Sequence, residues 1–420
     1  MATPTGSGQA RLGRDPDLAA PGAPGVTQEE TRRRNLGAVL RHVHVHGPTS
    51  RAELTSRLGL NRSTIGALAA DLAAAGLVTE APTTVRRAGR PSLVVRPRSE
   101  QVYTHALSVE ADRLRAARIG LGGRILDLRE VDRPGGMSTF DAIGPLAGLV
   151  RDMQRAVTGD ALLVGGAVAV TDTTRDRDGR IRIGGPDEAL RAAFEAGLAA
   201  GPGLVAGDLA DIAGVAEHVR GVAVGTDDLV YLHGDLGVSA GIIVGGRLVA
   251  GHRGHGGKVG HMVVNPYGLP CGCGSRGCWE TEIGQAALLR HAGREPGGPP
   301  AVVEVLRAAA GGDRAAQAAV RQVADWLGFG VANLANVVNP GIVVFGGSLR
   351  DIYAVGAETV RRRLDAMVLP AFREHLRLRA ATLGRDAALI GAAELAFAEL
   401  LADPLNVGAA GRSGTGPTPA

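Results

Sequence analysis

The chain has 420 residues, of which 45% are hydrophobic and 21% charged, enough to bury more than one core and unlike a small cross-linked scaffold. Its formal charge is only +4, yet residues 31–100 hold twelve arginines against four acids (Glu53, Asp71, Glu80, Glu100), a local +8 that leaves −4 for the remainder. That asymmetry fits an anion-binding module joined to a neutral or acidic one. Arginine abundance alone does not, because Lys258 is the only lysine among 46 basic residues, a bias that GC-rich coding produces. No run of about 18 apolar residues is present and the N-terminus lacks the apolar segment of a signal peptide, so no membrane association and a cytoplasmic location are expected.

Residues 1–26 and 403–420 are rich in Pro, Gly, Ala, Ser and Thr without periodicity and are expected to be disordered tails. Residues 27–100 read as one module. Leu36, Val39, Leu40 and Val43, then Leu54 and Leu58, then Ile65, Leu68 and Leu72 mark three successive helices. Gly59-Leu60-Asn61 joins the second and third, glycine allowing the sharp turn and Asn61 offering a cap. The strand-like stretches 76–80 and 93–95 follow, separated by the basic loop VRRAGRPS. The pattern predicts a winged helix-turn-helix that binds double-stranded DNA; any three-helix bundle with a basic surface is the plainer alternative. Candidate DNA contacts are Arg62, Ser63 and Thr64 at the start of the recognition helix, Arg51 on the helix before it, and Arg86, Arg87 and Arg90 in the wing loop.

From residue 101 to 402 the pattern changes to α/β. ALSV, RAARIG, RILDLREV, LLVGGAVAV, GLVAG, LVYLHG and AGIIVGG are apolar runs of strand length, with helical stretches at 143–156 and 188–199 between them. Residues 300–337 read as helical, GIVVFGG as a buried strand and 388–402 as a last alanine-rich helix, with no obvious tandem repeat.

All three cysteines fall in GGKVGHMVVNPYGLPCGCGSRGCWE, residues 256–280. His261, Cys271, Cys273 and Cys278 supply one imidazole and three thiols, the donor set of a closed tetrahedral zinc site. A disulfide is the alternative, but the count is odd, the expected compartment is reducing and a Cys-x-Cys pair bridges poorly. With four protein ligands the expected zinc is structural.

The spacing His, nine residues, Cys-x-Cys, four residues, Cys, then an aromatic residue and Glu280 resembles the signature of the ROK family of repressors, open reading frames and sugar kinases. GDLGVSAGIIVGGRLVAG, VANLANVVNPGIVVFGGSL and LGRDAALIGAA resemble its other motifs over residues 101–402, and the N-terminal module is similar to the DNA-binding head of its repressor branch. The resemblance implies two actin-like, ribonuclease H-like lobes around a cleft, with sugar at the base and, in the kinases, ATP above it. It also implies a homo-oligomer, dimer or tetramer, and genes of carbohydrate metabolism as targets.

Against that pattern the chain departs in three places. The family's catalytic Asp lies in a motif like ENDANAAALAEH; the ungapped counterpart GDLADIAGVAEH places Asp208 on the Asn and Leu209 on the Asp, and leucine cannot accept a proton. A shifted register that makes Asp208 the base breaks the match at Glu217. The phosphate turn D-x-G-x-T is replaced by Ser108-Val109-Glu110-Ala111-Asp112, whose acids repel a triphosphate. In the sugar region His261 and Glu280 are kept, but Lys258 stands where the family has Glu. Lys258 either binds an acidic ligand, or pairs with Asp208 or Glu280 and fills an empty cleft, or is a drifted surface lysine. Asp208, Lys258, His261 and Glu280 are therefore the candidate ligand-binding residues, for a sugar or acidic sugar-derivative effector. The expected function is a DNA-binding transcriptional repressor without enzymatic activity; the alternative is a ROK sugar kinase with an appended DNA-binding domain.

Overall fold

A computed structural model describes residues 27–82, 93–171, 173–175, 181–183, 188–198, 204–235, 237–295 and 297–406. The chain divides into two compact units, Met1–Gln101 with Ala398–Ala420, and Val102–Phe397.

In the first unit each helix starts on a side chain that satisfies its free N–H groups. Thr27 and Glu30 form a reciprocal capping box at the helix Gln28–His46, Ser50 accepts from the Glu53 amide at Arg51–Leu58, and Asn61 accepts from the Thr64 amide at Arg62–Ala74. The turn between the last two needs Gly59, whose φ of +67° is left-handed. Leu36, Val39, Leu40, Val43, Leu54, Ile65 and Leu72 form the apolar interior. The strands Val78–Pro82 and Leu93–Pro97 pair antiparallel as a wing, and a third strand, Thr49–Ser50, adds to Leu93–Pro97 on its other edge. That two-residue strand is too short to show periodicity.

The second unit contains two five-stranded sheets with the same topology. In the first, Ile125–Asp132, Arg113–Gly120 and Val102–Val109 run antiparallel, and Leu162–Val170 and Val205–Asp208 continue parallel to Val102–Val109. In the second, Arg247–Leu248, Val238–Val244 and Leu229–Gly234 are antiparallel, and Ile342–Gly347 and Arg377–Ala380 parallel. Each sheet has its central strand first in sequence, so the fold is a structural duplication that the residues themselves do not repeat. These are the two lobes. The helical stretch 300–337 comprises two helices, Pro299–Ala310 and Arg314–Val338, separated where Gly312 takes a φ of +95° and Asp313 caps the second by accepting from Ala316.

Helix Leu209–Arg220 leaves the first sheet but packs on the second. Gly214 lies against Tyr231, and a Cβ on Gly241 would stand 2.5 Å from the Ala210 carbonyl. The cysteine-rich loop is anchored differently. Trp279, directly after Cys278, is fully buried, donates to the Trp326 carbonyl at 2.8 Å and lies on Gly330, where a Cβ would come within 2.1 Å of the indole. Gly330→Ala is therefore expected to cost about 1–3 kcal/mol by overpacking, read as a lower melting temperature, with a near-UV change from displaced Trp279.

Candidate functional site

The first candidate surface is the start of the recognition helix. Arg62 and Ser63 are exposed and Thr64 is half-buried. The Asn61 side-chain oxygen accepts from the Thr64 amide at 2.8 Å and from the Ser63 hydroxyl at 2.7 Å, fixing the turn, and no acid occupies the first turn to repel phosphate. Arg51 has another partner. Its Nε donates to Glu80 Oε1 at 2.6 Å, its second nitrogen binds the other carboxylate oxygen, and Gly66 leaves the room this guanidinium takes. The fork joins the middle helix to the wing strand. Arg86, Arg87 and Arg90 lie outside the described residues.

The second is the cysteine-rich loop. One ligand atom from each of His261, Cys271, Cys273 and Cys278 lies within 4.8 Å of the other three. Cys273 and Cys278 sulfurs are 3.6 Å apart, and Cys271 Sγ is 3.7 Å from His261 Nδ1. A tetrahedral ion about 2.3 Å from each sulfur sets ligand edges of about 3.8 Å, so the four residues fit such an ion. Tight turns make this possible: Gly277 has a φ of +70°, and any side chain there would collide with the Asn265 carbonyl. Glu280 Oε1 is 3.0 Å from Cys271 Sγ and 3.6 Å from His261 Nδ1, and so adjoins this donor set.

The third is the cleft between the two sheets of the second unit, a cavity of about 240 Å³ whose lining includes Glu110, Asp112, Leu209, His233, Asp235 and Arg385. Asp208 ends a strand of the first lobe and caps the helix Leu209–Arg220 by accepting from the Ala210 amide at 2.8 Å. Its other oxygen accepts from Lys258 Nζ at 3.0 Å. Of the readings open for Lys258, the geometry gives the pair with Asp208. Leu209, 3% exposed, adds only methyl groups to the cleft wall. Lys258 and Asp208 thus meet beside the helix start, while Glu280 and His261 gather at the cysteine loop.

Charge in the cleft is predominantly acidic. Burial, with the Asp112 and Glu110 carboxylates nearby, pushes Asp235 up to about 6, partly offset by the Ala111 amide and the Gln285 side chain that donate to it. Burial likewise raises Glu110, opposed by the Ser108 hydroxyl and Arg115. His233 is pushed down to about 4 by burial and stays neutral at physiological pH. Arg115 was not singled out by the sequence, where it is one arginine in a strand; it is 4% exposed. It donates to the Arg385 carbonyl at 2.5 Å and Asp386 at 2.7 Å, and lies 3.7 Å from Glu110.

Comparison with known proteins gives matches to the ROK family over residues 112–399 and to the MarR family over residues 37–88. A glucokinase of Halalkalibacterium halodurans is 32% identical over 197 residues, 43% of this chain and 60% of its own length, so this chain spans less than two thirds of that relative. The xylose repressor of Bacillus subtilis is 23% identical over 381 residues, 89% of this chain and 97% of its own. Among solved structures, a ROK family transcriptional regulator described as a homolog of the E. coli MLC protein superposes with a TM-score of 0.70 at 23% identity, covering 90% of this chain and all of that one. The fold is thus a MarR-type winged helix with an actin-like two-lobed α/β body.

A pH effect follows from Asp235. A carboxyl whose folded pKa lies above its ordinary 3.8 binds its proton more tightly in the folded state, so its contribution to stability falls as pH rises through the window from about 4 to 6. The stability of Asp235→Asn relative to the parent should therefore increase between pH 4 and pH 6 and level off above. Denaturant titrations of both proteins across that range would show it; a flat difference would contradict the assigned shift.

Proposed function

We propose that this chain, which belongs to the ROK family, is a DNA-binding transcriptional repressor of carbohydrate-related genes whose kinase site no longer works. The observation that carries this is the pairing, on one chain, of a winged helix with an exposed Arg62-Ser63 start and a body in which Leu209 follows Asp208 at the cleft. Phosphoryl transfer needs a base for the sugar hydroxyl and a place for the triphosphate. Here Asp208 is committed to Lys258 and to its helix cap, and Glu110, Asp112 and Asp235 crowd the region where phosphate would enter. The second reading, a sugar kinase with an added DNA-binding head, is favoured by the 32% identity to a glucokinase over 197 residues. A sugar or acidic sugar derivative is the effector class this reading assigns, a dimer or tetramer the assembly, and the cytoplasm the place of action. Among the described residues no helix is long and apolar enough to cross a membrane.

The test uses the full chain and a fragment of its own promoter. Specific binding is expected, with Arg62→Ala weakening it by roughly five- to a hundredfold, as loss of a base contact does, and no ADP release from ATP with a panel of hexoses. Deletion of residues 1–100 should abolish binding. Retained binding by that truncated protein would sink the assignment, and glucose-dependent ADP release would favour the kinase.

His261, Cys271, Cys273 and Cys278 would hold zinc as a structural ion that sets the path of residues 261–278 and supports Glu280. One zinc per chain is expected in protein purified without chelator, falling with Cys273→Ser together with melting temperature. Metal analysis that finds none would refute it.

A further inference from the structure

We propose that Lys258 and Arg115 latch the two lobes across the cleft, holding them together by internal ion pairs. The proposal starts from topology. Asp208 ends a strand of the first sheet, whereas Lys258 lies in a loop fastened to the second: the Ala240 amide donates to the Gly257 carbonyl at 2.8 Å, and a Cβ on Gly257 or Gly260 would strike the carbonyl of Ala240 or Val238. The Lys258–Asp208 pair at 3.0 Å therefore crosses from one lobe to the other. Arg115 does the same elsewhere along the cleft. It sits on the strand Arg113–Gly120 of the first sheet and binds the Arg385 carbonyl and Asp386, in the turn that follows the last strand of the second.

Something has to offset the repulsion that these links span. Glu110 and Asp112 belong to the first lobe, Asp235 and Asp351 to the second, and all four line the cavity, with Arg350 and Arg385 as the basic groups there. Bringing like charges together in a partly dehydrated cleft favours separation of the lobes unless other charges hold them. The Ala111 amide, donating to Asp235, is a third crossing link but a weaker one. Lys258 and Asp208 are almost wholly shielded, with side chains 15% and 4% exposed, so water and salt screen their attraction little. A neutral sugar at this point would have to displace a shielded ammonium from its carboxylate, which costs more than sugar hydroxyls return. Lys258 thus decides against neutral sugars, and the link between the lobes persists without them.

The proposal bears on the repressor reading by making the body independent of a neutral sugar, but its test needs no DNA. Hydrogen–deuterium exchange with mass detection on the full chain compares the parent with Lys258→Arg, Lys258→Met and the double variant Asp208→Asn/Lys258→Met, in which no charge is stranded if the single variant misfolds. Peptides over 108–114 and 205–212 should exchange roughly ten- to a hundredfold faster when the pair is lost, the factor for one charge-assisted bond. They should stay near the parent rate in Lys258→Arg, while the central strand Leu229–Gly234 remains unchanged throughout. Millimolar glucose should leave the parent pattern as it was. Parent-like exchange in the double variant, equal acceleration in Leu229–Gly234, or added protection by glucose in the parent would each overturn the latch. Failure to bind the promoter would instead count against the repressor reading and leave the exchange result standing.

Discussion

The buried carboxylate of Glu217 ties together the parts on which the cleft depends. It accepts from the amides of Val222, Thr382 and Leu383 at 2.8 Å each and from the Thr382 hydroxyl at 3.0 Å. Four donors around one carboxylate recover the solvation lost on burial. Through them the helix that begins at Asp208 is fixed to the turn that follows the last strand of the second sheet, and this turn leads directly into Arg385 and Asp386. The turn that holds Asp386 for Arg115 is thereby fixed to the helix, while Asp208 at the helix start stays paired to the first sheet. Gly391 completes this attachment, because a side chain there would run into the Ile212 carbonyl of the same helix. The small residues Ala210, Ala213, Gly214 and Ala216 let that helix approach the second sheet closely enough for Glu217 to reach its partners.

With the frame fixed, charge decides what the cleft can hold. A carboxylate free to accept a proton must be partnered weakly, and Asp208 is partnered strongly, by Lys258 and by its own helix. A pocket for a triphosphate needs donors, and Glu110 brings an acceptor whose charge is contained by Ser108 and Arg115. Two acids of the cleft region, Asp208 and Glu110, each meet a basic partner from within the chain, Lys258 and Arg115. The cysteine-rich loop is separate in its support, since Trp279 anchors it in the helical layer through Gly330 and Trp326.

Much of this was legible from the residues because it is local. Asn61 caps its helix three residues on, Gly59 turns the chain at a positive φ, and His261 with the three cysteines falls into one cluster through tight turns at Gly274 and Gly277, both at positive φ. The long-range pairings were not. Lys258 is 50 residues from Asp208, and Arg115 is 271 from Asp386; no periodicity couples such positions, so three readings of Lys258 stayed open until the lobes were placed. The duplication of the two sheets escaped for a related reason. Strand order and direction repeat, whereas the side chains that fill each lobe answer to different neighbours. Arg51 shows a further limit: its basic character and place in the head match a phosphate contact, and only the position of Glu80 reveals an internal partner.

These same features bear on how a regulator can arise from a kinase body. Loss of the base alone would remove only the proton acceptor that phosphoryl transfer needs. Lys258 goes further, because it replaces the ligand's interactions rather than only the chemistry. The ammonium of Lys258 on the Asp208 carboxylate is a standing contact, and shielding keeps it nearly independent of ionic strength. Such a body is suited to holding its shape. An input, if it comes through the cleft, must then compete for Asp208 or Lys258 as a charged group.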